Sequence, residues 1–161
     1  MKRYSMACTW VGAVVGAIAP LMGYVGASGY VDSASLVMAA VLFCWQFPHF
    51  NSLSWNIRGD YTRAGYRVMC AVNQRLCRLT SLRYSLALLL LCSLGAPMTG
   101  LTAWSFALES LPFNALLLHL SYKFYRNADA KTSRSLFHYT LLHLPLIMML
   151  MAVSKFGHSP D

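Results

Sequence analysis

The run Thr9-Trp10-Val11-Gly12-Ala13-Val14-Val15-Gly16-Ala17-Ile18-Ala19-Pro20-Leu21-Met22-Gly23-Tyr24-Val25-Gly26-Ala27 contains no charged residue. A helix needs about 20 apolar residues to cross the roughly 30 Å hydrocarbon core of a bilayer, and this run meets that length. It is rich in glycine and alanine, as close helix packing in lipid favours. Met1-Lys2-Arg3 ahead of it invites a signal-peptide reading. The apolar stretch is longer than a signal core, however, and four more follow, so it reads as a first membrane span.

Working outward, a second uncharged segment runs from Ser33 to Trp55, with an interruption expected at Pro48. A third covers about Tyr84 to Pro97. A fourth, about Thr102 to Tyr122, contains Glu109 and Pro112. The fifth, Ser135 to Val153, includes Leu146-Ile147-Met148-Met149-Leu150-Met151. Composition agrees: 57% of the 161 residues are hydrophobic, 11% are charged, and the mean hydropathy is +0.48. A soluble domain of this length needs more polar surface to cover its core. The expected fold is all-α, a polytopic helix bundle forming one membrane domain over residues 1–161.

Thirteen basic residues against five acidic ones give a net charge of +8. Such an excess suggests nucleic acid in a soluble protein, but here the basic residues sit between apolar segments. Five spans sort the connections onto two sides. One side holds Lys2, Arg3, the arginines from Arg58 to Arg83, and Lys123, Arg126, Lys131 and Arg134; the other keeps only Lys155. That asymmetry is the positive-inside pattern and speaks for lipid head groups rather than nucleic acid. The N-terminus and the 56–83 connection should face the cytoplasm, or the matrix in a mitochondrion.

Cys8, Cys44, Cys70, Cys77 and Cys92 form no CxxC pair and no zinc-ligand spacing, so all five read as structural. The chemically informative stretch is Arg58-Gly59-Asp60-Tyr61-Thr62-Arg63-Ala64-Gly65-Tyr66-Arg67, one acid among three arginines beside a membrane surface. Val68, Val72, Leu76 and Leu79 recur at helical spacing, which predicts an amphipathic helix lying over the bundle. Such a loop can be a solvated topogenic face. It also suits a diphosphate, because guanidinium forks bind phosphate oxygens and a carboxylate can hold a bridging Mg²⁺.

The run beginning Thr9-Trp10-Val11-Gly12 continues through Pro20-Leu21-Met22-Gly23, Trp45-Gln46-Phe47-Pro48-His49-Phe50-Asn51 and Leu53-Ser54-Trp55. Arg58, Asp60-Tyr61, Gly65-Tyr66 and Met69 extend it, and Leu111-Pro112, Asn114-Ala115, Phe124-Tyr125, Ala128-Asp129 and His143-Leu144-Pro145 follow. Together these resemble the mitochondrial protoheme IX farnesyltransferase (haem O synthase) family of UbiA-type intramembrane prenyltransferases. The resemblance implies a nine-helix bundle in the mitochondrial inner membrane, to which these five spans contribute the second half. The N-terminal helices and a first acidic motif would then lie upstream. It implies transfer of farnesyl from farnesyl diphosphate to a vinyl group of haem B, with Mg²⁺ as cofactor. Cys8 stands where that family usually has Asn, Ala19 replaces a proline, and Gly59 replaces an acid. The second acidic motif is therefore reduced to Asp60.

On this reading Asp60 holds Mg²⁺, and Arg58 and Arg63 act with it in catalysis as the diphosphate departs. Lys2, at the end of a Tyr-xxx-Lys-like motif, helps bind the substrate. Tyr61 and Tyr66 shield an allyl cation or serve as interfacial belt aromatics. His49 and Gln46 are substrate-binding candidates on the haem side, with interhelical hydrogen bonding the alternative for Gln46. His119 and His138 carry no family match, and His143 reads as helix packing. Two rival readings are a membrane haem-binding protein with His119 and His138 as axial ligands, and a non-catalytic structural fragment.

Overall fold

The computed structural model describes residues 7–156, and the described residues outside the short turns are helical. Helix α1 (Cys8–Ser28) is followed by α2 (Ser33–Asn56), α3 (Arg58–Arg63) and α4 (Met69–Val72). A rod follows, made of α5 (Gln74–Leu90), a π-helical turn (Leu91–Gly95) and α6 (Ala96–Met98). The chain closes with α7 (Trp104–Asn127) and α8 (Ala130–Phe156).

Local chemistry sets the ends. Gly29 adopts φ 81°, a left-handed turn that glycine tolerates without Cβ strain, and its N–H donates to the Val25 carbonyl at 2.8 Å. Three residues on, the Asp32 carboxylate accepts the Ser35 N–H at 2.7 Å, while the Ser35 hydroxyl accepts the Asp32 N–H at 3.1 Å. This reciprocal box starts α2. The Ser35 N–H holds the Asp32 carboxyl below its usual range against the opposing effect of burial, and the Tyr24 hydroxyl adds to the lowering.

Among the described residues, four helices are long and apolar enough to cross a membrane: Cys8–Ser28, Ser33–Asn56, the Gln74–Met98 rod and Ala130–Ser154. The apolar segment from about Thr102 to Tyr122, which α7 contains in large part, reads from the sequence as another span. Its 24 residues suffice in length, but Glu109, Asn114 and His119 interrupt its apolar residues. Ser110, Asn114 and Ser121 are buried against neighbouring helices rather than turned to lipid.

Pro48 does not interrupt α2. The helix runs through it, and the Ser52 hydroxyl donates to the Pro48 carbonyl at 2.6 Å. The amphipathic helix expected over 68–79 is broken instead. Asn73 is extended (φ −141°, ψ 93°) and its side chain caps α5 by accepting the Leu76 N–H at 2.9 Å. The membrane-length rod therefore begins at Gln74, ten positions before the expected start at Tyr84, and carries Arg75, Arg78 and Arg83 on its first turns. Arg78 donates to the Tyr125 carbonyl near the C-terminus of α7, where a cation also opposes the helix dipole.

Helices α2, α5, α7 and α8 pack in a closed ring, and α1 lies outside it along α2. Each seam carries a polar link inside an otherwise apolar contact. Asn51 donates to the Cys77 carbonyl (3.1 Å) between α2 and α5, and the Ser85 and Ser121 hydroxyls pair at 2.7 Å between α5 and α7. Asn114 and His143 pair at 3.1 Å between α7 and α8, and Ser133 donates to the Ser52 carbonyl (2.8 Å) between α8 and α2. Lipid is as apolar as leucine, so such links, with close packing, replace the hydrophobic drive that assembles soluble bundles. The five cysteines are free thiols and all but Cys8 are buried. Burial pushes the Cys70 thiol, outside the spans, up to about 11, so it stays protonated and inert.

Candidate functional site

Helix α3 stands at the end of α2 and holds the acid and two of the arginines singled out from the sequence. Gly65 at φ 70° ends it, and the Tyr66 N–H turns back to donate to the Tyr61 carbonyl at 2.9 Å. This closing turn needs a residue without Cβ strain. It brings the Tyr61 and Tyr66 rings to 6.1 Å, both half-buried.

Arg58, Asp60 and Arg63 project into solvent. The Arg58 guanidinium lies 4.7 Å above the Trp55 ring, where Arg78 approaches as well. Among the described residues, the Asp60 carboxylate and the Arg63 guanidinium engage no protein group. Beneath α3 is a groove of about 190 Å³ between the start of α1 and the end of α2. Cys8, Thr9 and Gly12 line one wall, Phe50 and Ser54 the other, with Tyr61 and Val68 at the α3 side. The arrangement is a small apolar trough lined by Tyr61 of α3, the helix that also carries an acid and two cations.

The other expected site residues are placed differently. Lys2 lies outside the described residues. Gln46 is buried, and its amide donates to the Ala13 carbonyl at 3.0 Å and to the Leu42 carbonyl at 3.3 Å, so it joins α2 to α1. Gly16 makes room for it: a Cβ there would meet the Gln46 amide oxygen at 2.4 Å. His49 faces α8 rather than the groove. Its ring stacks on Trp45 (4.6 Å) and Phe137 (5.1 Å), and Nδ1 shares a hydrogen bond with the Thr140 hydroxyl at 2.9 Å.

His119 and His138 are both exposed. His119 lines a groove between α5 and α7 to which α8 contributes no residue, so the two do not form the facing pair that axial haem ligation requires. His143 is buried on Asn114, as packing predicts. The sequence reading missed Phe50 and Ser54. Both stand at helical spacing from Gln46 on one face of α2, and that periodicity was the available signal.

The matching family model is the UbiA prenyltransferase family, over residues 1–149. The chain belongs to that family. Among curated relatives, a protein named protoheme IX farnesyltransferase, mitochondrial, from Homo sapiens is 48% identical over 155 residues, covering 96% of this chain and 35% of the relative. Relatives of the same name from Neurospora crassa (44% identical; 98% of this chain, 34% of the relative) and Saccharomyces cerevisiae (38%; 98% and 38%) align similarly. The chain thus spans about a third of the length of the curated relatives it matches. No solved structure matches it. UbiA proteins are membrane helical bundles, as the ring of apolar helices is here, and α3 carries an acid and a cation, Asp60 and Arg63, that engage no other described residue.

Proposed function

We propose that this chain takes part in transferring a farnesyl group from farnesyl diphosphate to haem B, making haem O in the mitochondrial inner membrane. The observation that carries this reading is α3: Asp60 and Arg63 are exposed and unengaged on the short helix whose Tyr61 lines an apolar groove, with Arg58 over Trp55 at its start. That combination suits a molecule with a diphosphate head and an isoprenoid tail. The names of the relatives supply haem and farnesyl as substrates and mitochondria as the compartment.

UbiA prenyltransferases generally use Mg²⁺ with a diphosphate. Among the described residues, no cluster of three or more His, Cys, Asp or Glu could enclose a metal ion. One open carboxylate still fits Mg²⁺, which usually keeps several waters and takes one or two carboxylates plus substrate phosphates. Asp60 would hold it, and when bound it offsets charge on the departing diphosphate.

The chain's own groups then divide the work. Arg63 and Arg58 bind diphosphate oxygens, Arg63 from solvent and Arg58 by swinging from its perch over Trp55. Tyr61, with Tyr66 behind it, turns an aromatic face to the allylic carbon, where positive charge develops as its bond to oxygen lengthens. Phe50 and Val68 keep water from that carbon until the haem vinyl group attacks. The bond to diphosphate breaks as the new C–C bond forms, and water then adds to the cation left on the former vinyl group, giving the hydroxyl of haem O and releasing a proton. Gln46 fixes α1 against α2 and so sets the groove's width. His49, locked between Trp45 and Phe137, meets a haem propionate on the α8 side only with a proton on Nε2, which requires the Thr140 hydroxyl to turn from the Phe137 carbonyl and donate to Nδ1.

The test is haem O formation in cells lacking their own farnesyl-haem synthesis and expressing the complete coding sequence. Extracted haems are separated and identified by mass. Haem O should appear, and should vanish with Asp60→Asn together with Arg63→Gln. Unchanged haem O in that double variant would leave α3 as a solvated face.

A further inference from the structure

A second groove, of about 510 Å³, runs between α5 and α7, away from α3. Its walls are Leu82 and Leu86 on α5 and Ala115 and Leu118 on α7, and its polar lining is Arg83, His119 and Tyr122. None of these three polar heads engages another described residue.

Depth orders this lining. Arg83 stands nine positions inside the start of α5 at Gln74, and His119 eight positions inside the end of α7 at Asn127. At 1.5 Å per residue both lie about 12–14 Å in from the basic end of the bundle, where a snorkelling side chain turns its head outward. Arg75 and Arg126 continue the two helix faces outward at helical spacing, while Leu86 and Ala115 continue them inward. No carboxylate lines the groove. An unpaired guanidinium at that depth needs an anion, and the apolar trough below it needs a chain.

We infer that this groove seats one anionic phospholipid. Its phosphate lies against Arg83 with His119 and Tyr122 as further hydrogen-bond partners, and an acyl chain lies along Leu82, Leu86, Ala115 and Leu118. Charge complementarity selects the occupant: basic pockets between membrane helices on the positive side bind anionic head groups. A zwitterionic lipid would bring its own cation into a site that already has one. The seat rests on the α5–α7 seam and does not depend on the reaction assigned to α3.

The test uses the whole protein in nanodiscs of equal phosphatidylcholine and phosphatidylglycerol, with retained lipids counted by native mass spectrometry. Phosphatidylglycerol should be retained over phosphatidylcholine. Arg83→Gln with His119→Leu should cut that retention about fivefold or more, on the usual worth of basic groups at an anionic surface. Ala115→Trp, which fills the trough and keeps every charge, should cut it as well, with helix content unchanged by circular dichroism. Should that variant fail to fold, Arg83→Gln alone, at an exposed position, decides the matter. Lys131→Gln, an exposed charge on α8, should leave retention intact.

Equal losses from Lys131→Gln and Arg83→Gln would reduce the effect to diffuse charge and overturn the seat. So would equal retention of the two lipids. Displacement by millimolar inorganic phosphate would mean a free-anion site without a chain, and masses of two protein copies would mean that another copy covers the face.

Discussion

On the proposed function, Gly59 beside Asp60 leaves the second acidic motif one carboxylate, so Asp60→Asn should lower haem O formation at least about tenfold. Gly59→Glu should lower the Mg²⁺ concentration that gives half-maximal activity, because a hard cation gains a second carboxylate. A titration of activity against Mg²⁺ reads both, and an unchanged midpoint in Gly59→Glu would mean that the added carboxylate does not reach the metal. Deeper in the bundle, Asn114 Oδ1 and His143 Nε2 pair at 3.1 Å with almost no exposure, and His143 Nδ1 has no hydrogen-bond partner. Removing one member strands the other, which costs about 1–3 kcal/mol, whereas replacing both by apolar residues can be nearly neutral. His143→Leu should therefore destabilise the bundle more than His143→Leu with Asn114→Leu, measured by unfolding in mixed micelles. A double variant less stable than the single one would show that the pair itself holds α7 to α8.

At the scale of elements, the short link from Gly29 to Asp32 turns one span into the next. Asp32→Ala removes the side-chain acceptor for the Ser35 N–H and should lower the melting temperature, with fraying at the start of α2 seen by hydrogen exchange. The pH dependence has a definite sign. The Asp32 carboxyl is depressed in the folded protein, so its contribution is complete above the ordinary carboxylate range and is lost as acid takes the pH down through the folded value. Asp32→Ala should erase that part of the acid sensitivity. The α1–α2 seam turns on Gly16, where an added Cβ would displace the Gln46 amide from the Ala13 carbonyl. Gly16→Val should loosen α1, raising amide exchange there and leaving the ring of α2, α5, α7 and α8 intact.

For the whole molecule, the basic asymmetry places the α3–α4 turn and the α7–α8 link on one face of the membrane. Single cysteines at Ala64 and Ala128, in a background with the native cysteines replaced, should react with an impermeant thiol reagent from the same side. Cysteines at Tyr30 and Gly100 should react only from the other. Labelling of Gly100 and Ala128 from one side would mean that α7 does not cross, although it is long enough and packs between α5 and α8.

Uncharged runs of span length, counted against bilayer thickness, were enough to read α1, α2, α8 and the inner part of the α5 rod from the sequence, because lipid exposure demands apolarity over a fixed distance. The motifs around Trp45 and Asp60 placed the chain in its family for a related reason: a site chemistry needs particular residue types at particular spacings. What the sequence left open was which way each polar side chain turns. Gln46, His49 and Asn51 sit within one short motif, yet they face α1, α8 and α5 respectively. Successive helical positions are rotated about 100° apart, so residues adjacent in a motif can belong to different seams. Only the packing of the ring decided that Gln46 is a strut, that Phe50 and Ser54 line the groove under α3, and that His119 and His138 never face each other.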